Sequence, residues 1–427
     1  MILAATVAIG LVAGGLGRFG YTLILPSIRD DLQLSYTQSG FLVTSNFLGY
    51  LGAAVFGGLL GARLGVRGAT VLGLILMLAG MGGSALAPAY AVLLLLQFPI
   101  GFGTGTVMIA SISTLPAWFP ARLRGLVAGL GNGAAGLGIV LSGFLVPILL
   151  GGFGPTGWRQ IWWAFAGCVG AALVIGAVFL KRRPVAAGPA RTAGPRRPLS
   201  TIYRTPLYWR LMPAILLMGA AQSVYGTYFG AYGSRELRID PGLVGLIWSG
   251  VGLLSVLSGI LWGLISDRAG RKRAFAAALG VQSLASLLLV LAAGGGAITL
   301  GISGAIAGLT LFGAATVMTA VLVDISEPEA LPAVGGMMAV GNGIGQLAGP
   351  ALAGSVTDLT GSLIAAYIFA ALASAGGILA ATLFPPLVRP GETARAAGAG
   401  ARPAAAEAPT PAIASAGVGG RSGSIGC

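Results

Sequence analysis

The chain has 427 residues, of which 56% are hydrophobic and only 8% charged, with a formal net charge of +14. Soluble domains carry about 25% charged residues, so this composition excludes a water-soluble globular protein and calls for a largely lipid surround. The basic excess lies in loops between apolar stretches, which argues against a nucleic-acid partner.

Twelve apolar stretches are long enough for helices to cross a ~30 Å hydrocarbon core. They cover 3–26, 39–62, 68–88, 90–115, 124–150, 158–180, 210–233, 242–265, 273–293, 296–323, 332–357 and 361–387. The first is full length and lacks a basic leader, so it reads as a span and not as a cleaved signal. Between spans six and seven, residues 181–209 are rich in Arg, Pro, Ala and Gly, the composition of a flexible basic linker. From Pro390 to Cys427 the chain is rich in Ala, Gly and Pro and is expected to form a disordered tail. The expected organisation is therefore a six-helix bundle over 1–180, a linker over 181–209, a second six-helix bundle over 210–389 and a tail over 390–427. The cysteines Cys168 and Cys427 are too far apart in character, one within a span and one at the tail, to suggest a disulfide framework.

If the amino terminus is cytoplasmic, twenty Lys and Arg fall in inner loops and four, Arg29, Arg159, Arg235 and Arg238, in outer ones. That is a positive-inside bias, and twelve spans then return the carboxyl terminus to the same side. The expectation is a multi-pass protein of the inner membrane with both termini cytoplasmic. One cation, Arg18, fits neither group because it lies within a span.

A charged turn occurs twice. Gly263-Leu-Ile-Ser-Asp267-Arg268-Ala-Gly270-Arg271-Lys272 follows span eight, and Gly58-Leu-Leu-Gly-Ala62-Arg63-Leu-Gly65-Val-Arg67 follows span two, 205 residues earlier. Gly131-Asn132-Gly133 in span five recurs as Gly341-Asn342-Gly343 in span eleven, 210 residues on. Constant offsets through both halves indicate a duplicated six-span unit.

With Gly263, Asp267, Arg268, Gly270, Arg271 and Lys272 in place, the second copy resembles the signature loop of the major facilitator superfamily, and the likeness covers about residues 1–387. Gly-Leu-Gly-Arg-Phe-Gly-Tyr-Thr at 15–22, with Asn46-Phe-Leu-Gly-Tyr50, is further similar to the YbfB-like bacterial branch. The resemblance implies an all-α fold of twelve transmembrane helices in two pseudo-symmetric bundles that works by alternating access. It also implies a gating role for Gly58, Arg63, Gly65, Arg67 and the second loop, with Asp324 at the end of span ten as partner of Arg268 or Arg271. Gly270 permits a tight turn, and Asp267 suits a helix amino terminus. In the first copy Ala62 replaces the acid, and Thr114 stands near the place of Asp324, so a one-sided clasp is expected. The alternative is charge that only fixes topology.

Arg18 lies about 22 Å from one end of its span and 12 Å from the other. A central arginine costs about 2.5–3.5 kcal/mol even on a lenient insertion scale, and Gly14, Gly15, Gly17 and Gly20 around it allow the helix to unwind beside a cavity. Tyr21 is on the same side. A planar, permanent cation beside a phenol suits a carboxylate or another oxyanion; the alternative is snorkelling or a structural bond to carbonyls. Uncharged polar residues complete the candidate site: Asn46 and Tyr50 in span two, Asn132 in span five, Gln222, Tyr225 and Tyr228 in span seven, and Asn342 and Gln346 in span eleven. Such residues also serve as glue between helices. Trp158, Trp162 and Trp163 read as an interfacial belt.

None of the eleven acids falls mid-membrane, and the chain contains no histidine, so a carboxylate-based proton relay is not expected. The family's proton-linked drug exporters carry an arginine in span four where this chain has Gln97, and its oxalate-type exchangers carry cations in spans eight and eleven, which have none here. The expectation is a monomeric carrier of a small organic anion such as a monocarboxylate, with no cofactor, no metal and no nucleic acid. Anion exchange, uniport and entry with the anion's own proton remain open. Two further readings stand beside it: an exporter of apolar or cationic compounds with Arg18 structural, and a non-transporting sensor on a carrier scaffold. An enzyme is not expected.

Overall fold

A computed structural model of the chain describes residues 2–114, 124–180, 205–291, 293–326 and 331–384. The described residues all fall within one compact unit, Met1–Leu387, and Val388–Cys427 lies outside them. So do most of the expected linker and the whole expected tail.

The predicted spans form helices. They are α1 (Ala4–Asp31), a continuous stretch Tyr36–Ala85 that Gly65 divides into α2 (36–64) and α3 (66–85), α4 (Tyr90–Thr114), α5 (Arg124–Phe153) and α6 (Trp158–Phe179). The second half continues with α7 (Pro206–Ala231), α8 (Pro241–Ala269), α9 (Arg271–Leu291), α10 (Gly296–Ile325), α11 (Leu331–Thr360) and α12 (Ile364–Ala381). No strand occurs among the described residues. Ten of these stretches are long and apolar enough to cross a membrane; α7 and α11 hold the places of the seventh and eleventh predicted spans.

Several boundaries moved by a few residues, two of them at prolines. The helix α1 passes through Pro26 and runs to Asp31, because a proline removes one backbone donor without stopping the helix when its neighbours hold it. The helix α7 starts at Pro206, ahead of the expected 210, with proline in the first helical positions where no donor is needed.

Small residues set the spacing within each half. A Cβ on Gly15 of α1 would stand 2.3 Å from the Cα of Gly138 in α5, and one on Gly219 of α7 would stand 2.3 Å from the Asn342 carbonyl oxygen in α11. These are equivalent helix pairs in the two halves. Likewise α4 lies on α2 at Gly101 and the Asn46 carbonyl, and α10 lies on α8 at Gly308 and the Val251 carbonyl. In lipid, such close approach replaces the hydrophobic drive that packs helices in water.

The repeated loops turn alike. Gly65 has φ +67° and Gly270 φ +91°, backbone that only glycine adopts at low cost, and the two are 205 residues apart. The Arg67 guanidinium donates to the Ala177 carbonyl, and Lys272 Nζ donates to the Thr382 carbonyl at 3.0 Å. Both donor and acceptor again differ by 205 positions. Each loop thus places a cation on the carboxyl end of the last helix of its half, where the helix dipole favours it.

The acids of the second loop do not share that symmetry. Arg271 donates through Nε to Asp324 at 2.8 Å and through Nη1 to Asp267 at 2.5 Å and Ser266 Oγ at 3.0 Å. Of the two cations expected to meet Asp324, Arg271 is the one that does. Asp267 pairs with this first residue of α9 while remaining mostly exposed. The side chains of Gly58, Ala62 and Thr114 lie outside the described residues.

The two halves meet along α2–α11, α5–α8 and α1–α7. Cross-half hydrogen bonds gather at the end opposite the basic loops. Asp358, at the end of α11, accepts from the backbone N–H of Tyr36 and Thr37 at 2.8 Å each and from Thr37 Oγ1 at 2.6 Å. Arg235 pairs with Asp30, and the Tyr228 hydroxyl, bonded within its own half to the Pro350 carbonyl at 2.7 Å, reaches across to the Tyr36 carbonyl at 3.2 Å. Among the described residues, no such bond between halves involves Gly58–Arg67 or Gly263–Lys272.

Candidate functional site

The residues around Arg18 form a π-helical turn over Leu11–Leu16 that runs into a break at Gly20. Such a bulge re-aims side chains and is found most at functional positions. The glycines in and after it are all in contact: Gly14 and Gly15 meet Ala135 and Gly138 of α5, a Cβ on Gly17 would meet Thr104 Oγ1 at 2.4 Å, and one on Gly20 would meet Phe165 at 2.7 Å. The expected unwinding beside a cavity therefore takes the form of a widened turn held against α5, followed by glycines held against α4 and α6.

Arg18 opens into a narrow cavity of about 30 Å³ between the halves. Its walls are Gly17, Arg18, Phe19, Tyr21 and Thr22 of α1, Val43, Asn46 and Phe47 of α2, Gln97 of α4, Gln222, Ser223, Gly226 and Thr227 of α7, and Gln346 of α11. Both halves contribute. The guanidinium carbon stands 5.4 Å from the ring centres of Phe19 and Phe47 and 5.6 Å from that of Tyr50, close enough for ring faces to stabilise a desolvated cation. One Nη donates to Gln346 Oε1.

Three buried polar atoms on this wall have no protein partner: Arg18 Nε, the Tyr21 hydroxyl and Gln97 Nε2. Gln97 is turned this way because its Oε1 accepts from Asn46 Nδ2 at 3.3 Å. All three can donate, and no carboxylate lines the cavity.

Five of the expected site residues, Arg18, Tyr21, Asn46, Gln222 and Gln346, share this wall. Two more are one step behind it: Tyr50 faces the guanidinium, and Asn342 Oδ1 accepts from Gln346 Nε2. Gln222 spends its amide on the Leu311 carbonyl, at the break where α10 turns through Leu311 and Phe312.

Tyr225 and Tyr228 are placed elsewhere. The Tyr225 hydroxyl lies 2.8 Å from Ser303 Oγ with its ring against Phe229 and Tyr367, and Tyr228 ties α7 to Pro350 and Tyr36. Tyr225 is packed within its own half, and Tyr228 sits at the seam with the start of α2. The Asn132 side chain lies outside the described residues.

The tryptophans also divide. Trp158 is fully buried and donates to Asp31 at 2.9 Å, Trp162 is buried 6.4 Å from the Tyr21 ring, and Trp163 alone is half exposed. A belt role suits Trp163; the other two brace α1. Sequence reading passed over Thr22, Ser223 and Thr227, whose small hydroxyls gave no signal, and noticed Gln97 only for the arginine it replaces.

Two pseudo-symmetric halves of six helices around a central polar cavity, with twin glycine-turned basic loops, define a multi-pass membrane protein of the major facilitator superfamily. Within it, the chain belongs to the family described as Uncharacterised MFS-type transporter YbfB, whose model matches residues 10–384.

Among similar curated proteins, the hexuronate transporter of Bacillus subtilis is 30% identical over 134 residues, 31% of this chain and 32% of that protein. The quinolone resistance protein NorA of Staphylococcus aureus is 27% identical over 244 residues, 55% of this chain and 59% of that protein. The chain thus spans about a third of the first relative's length and under two thirds of the second's. Among solved structures, a bacterial homolog of the human lysosomal transporter Spinster, inward-facing and unoccupied, superposes with a TM-score of 0.71 at 15% identity, over 90% of this chain and 97% of that one. That likeness carries the fold.

Proposed function

We propose that the chain is a secondary carrier that moves a small organic monoanion, a monocarboxylate, across the inner membrane by alternating access. Its termini are cytoplasmic, so the end latched by Asp358 faces outward and the basic loops face inward. It works as a monomer without cofactor. The observation that carries this reading is the wall of unpartnered donors at Arg18 Nε, Tyr21 and Gln97, beside a cation with no protein carboxylate to neutralise it.

A buried donor left without a partner costs about 1–3 kcal/mol. A carboxylate offers about four acceptor sites and the missing charge, so it satisfies several of these atoms at once. A cationic ligand would add charge to a positive cavity and leave the donors unpaired. A dianion would carry one charge more than the wall supplies. The names of similar proteins span an anionic sugar and a drug-resistance protein, so the choice between substrate classes rests on the cavity.

The test is thermal stability of the purified full chain against panels of monocarboxylates, dicarboxylates and hydrophobic amines. Monocarboxylates are expected to raise the midpoint of wild type and leave Arg18→Gln unmoved. Stabilisation of both proteins by amines, and by no anion, would instead support the exporter reading.

A further inference from the structure

The side-chain partner of Arg18 belongs to the opposite half. Gln346 is buried at 3% exposure and lies 328 residues from Arg18, yet its Oε1 accepts a hydrogen bond from the guanidinium. Its orientation is not free. Gln346 Nε2 donates to Asn342 Oδ1 one turn earlier on α11, which turns the carbonyl end of the amide toward the cation. Nothing else in the cavity wall offers Arg18 a side-chain acceptor in a bond of its own.

We infer that Gln346 is a stand-in for the substrate: its carbonyl oxygen occupies the place of a carboxylate oxygen on Arg18 when the cavity is empty, and the arriving anion displaces it. The inference rests on the anion reading above and adds what the empty carrier does. Any alternating-access cycle that ends in net transport must return with no substrate aboard. During that return Arg18 is enclosed between the halves, where an unpartnered guanidinium is costly. A neutral amide oxygen from the second half relieves part of that cost. It binds more weakly than a carboxylate, because only one partner is charged, so the substrate can displace it.

The same geometry explains why the stand-in is an amide. A glutamate at 346 would hold Arg18 with a full charge and compete with the substrate permanently. Asn342 then acts as a positioning residue, since without it the amide could rotate and present its NH2 group to the cation. The device favours net movement of the anion over obligatory one-for-one exchange.

The experiment separates the two halves of the cycle. Full-length wild type, Gln346→Ala, Gln346→Glu and Asn342→Ala are reconstituted in liposomes and assayed with radiolabelled acetate, lactate and benzoate, both for net uptake into empty vesicles and for exchange into vesicles preloaded with the same anion. Gln346→Ala is expected to lower net uptake relative to exchange by about tenfold or more, the scale of one unsatisfied buried group. Asn342→Ala should shift the same ratio in the same direction by less. Gln346→Glu should weaken anion binding by at least about tenfold, because the site is already neutralised.

Equal loss of net uptake and exchange in Gln346→Ala would make the residue a substrate ligand or a structural tie and overturn the stand-in. Unchanged rates in both assays, or normal anion affinity in Gln346→Glu, would overturn it as well. If wild type carries none of the three anions while Arg18→Gln behaves as wild type in every binding assay, the anion reading itself fails and this inference falls with it.

Discussion

Arg18 sits where charge is least tolerated, and its surroundings explain how it survives there. Three aromatic rings, one amide oxygen and a widened helical turn replace the water it has lost. This is a setting for a planar, weakly hydrated cation and not for a compact ammonium. Arg18→Lys should therefore keep the charge yet weaken monocarboxylate binding by about tenfold or more, for loss of a charge-assisted contact, as read by isothermal titration. Affinity within twofold of wild type would show that charge alone is sensed. Gly15 is the steric counterpart. Because a Cβ there meets the Gly138 backbone at 2.3 Å, Gly15→Leu should cost about 1–3 kcal/mol by forcing α1 off α5, seen as a lowered melting midpoint in detergent. The cation was legible in the sequence because a charge inside an apolar run is rare. The facing of Tyr225 and Tyr228 was not, since three consecutive turns of α7 each look alike until the neighbours are known.

At the scale of helices, the two ends of the molecule are held by different chemistry. At the basic end, Arg271 is gripped by Asp324, 23% exposed, and by Asp267, 64% exposed. An exposed pair contributes about 0–1 kcal/mol, whereas breaking a bond to a largely sheltered charge costs about 1–3 kcal/mol. Asp324→Asn should therefore lower the melting midpoint clearly more than Asp267→Asn, although Asp267 is the residue of the signature loop. Equal effects would show that the two acids act as one unit.

At the other end, Ser35 caps α2 through its own capping box with Gln38, and Asp240, 205 residues later, caps α8 by accepting from Gly242 and Leu243. Among the described residues, the first half alone takes an additional carboxylate from across the interface, Asp358 on the N–H groups of Tyr36 and Thr37. A carboxylate at a helix amino terminus is worth about 0.3–1 kcal/mol. Asp358→Asn should raise the population open at this end by about two- to fivefold. The measure is the labelling rate of a cysteine placed at Ser27, on the wall of a second cavity that Arg235 also borders, in a background without Cys168 and Cys427. An unchanged rate would mean that the packing of α2 on α11 holds this end without the carboxylate. Both helix ends could be predicted to need caps, but which side chain would supply the second cap could not, because Asp358 is more than three hundred residues away.

For the molecule as a whole, hydropathy and repetition along the chain were enough to determine a duplicated helical membrane protein. The cost of an unpaired backbone in lipid leaves helices as the only use for apolar runs of that length, and offsets near 205 survive because equivalent loops meet equivalent needs. The twin bonds Arg67 to Ala177 and Lys272 to Thr382 show that the repeat reaches into individual contacts. The sequence also picked out Arg18 and the acids Asp267 and Asp324, since charge in such a chain cannot be incidental. Only the tertiary structure decided which polar side chains share a wall, that Arg271 and not Arg268 meets Asp324, that two of three tryptophans are buried, and that Gln346 holds Arg18. The physical reason is the same in each case. Span formation depends on the transfer of one segment from water to lipid, which each residue reports locally. Partnership depends on how far helices turn and approach once packed, and glycines hundreds of residues apart set that approach.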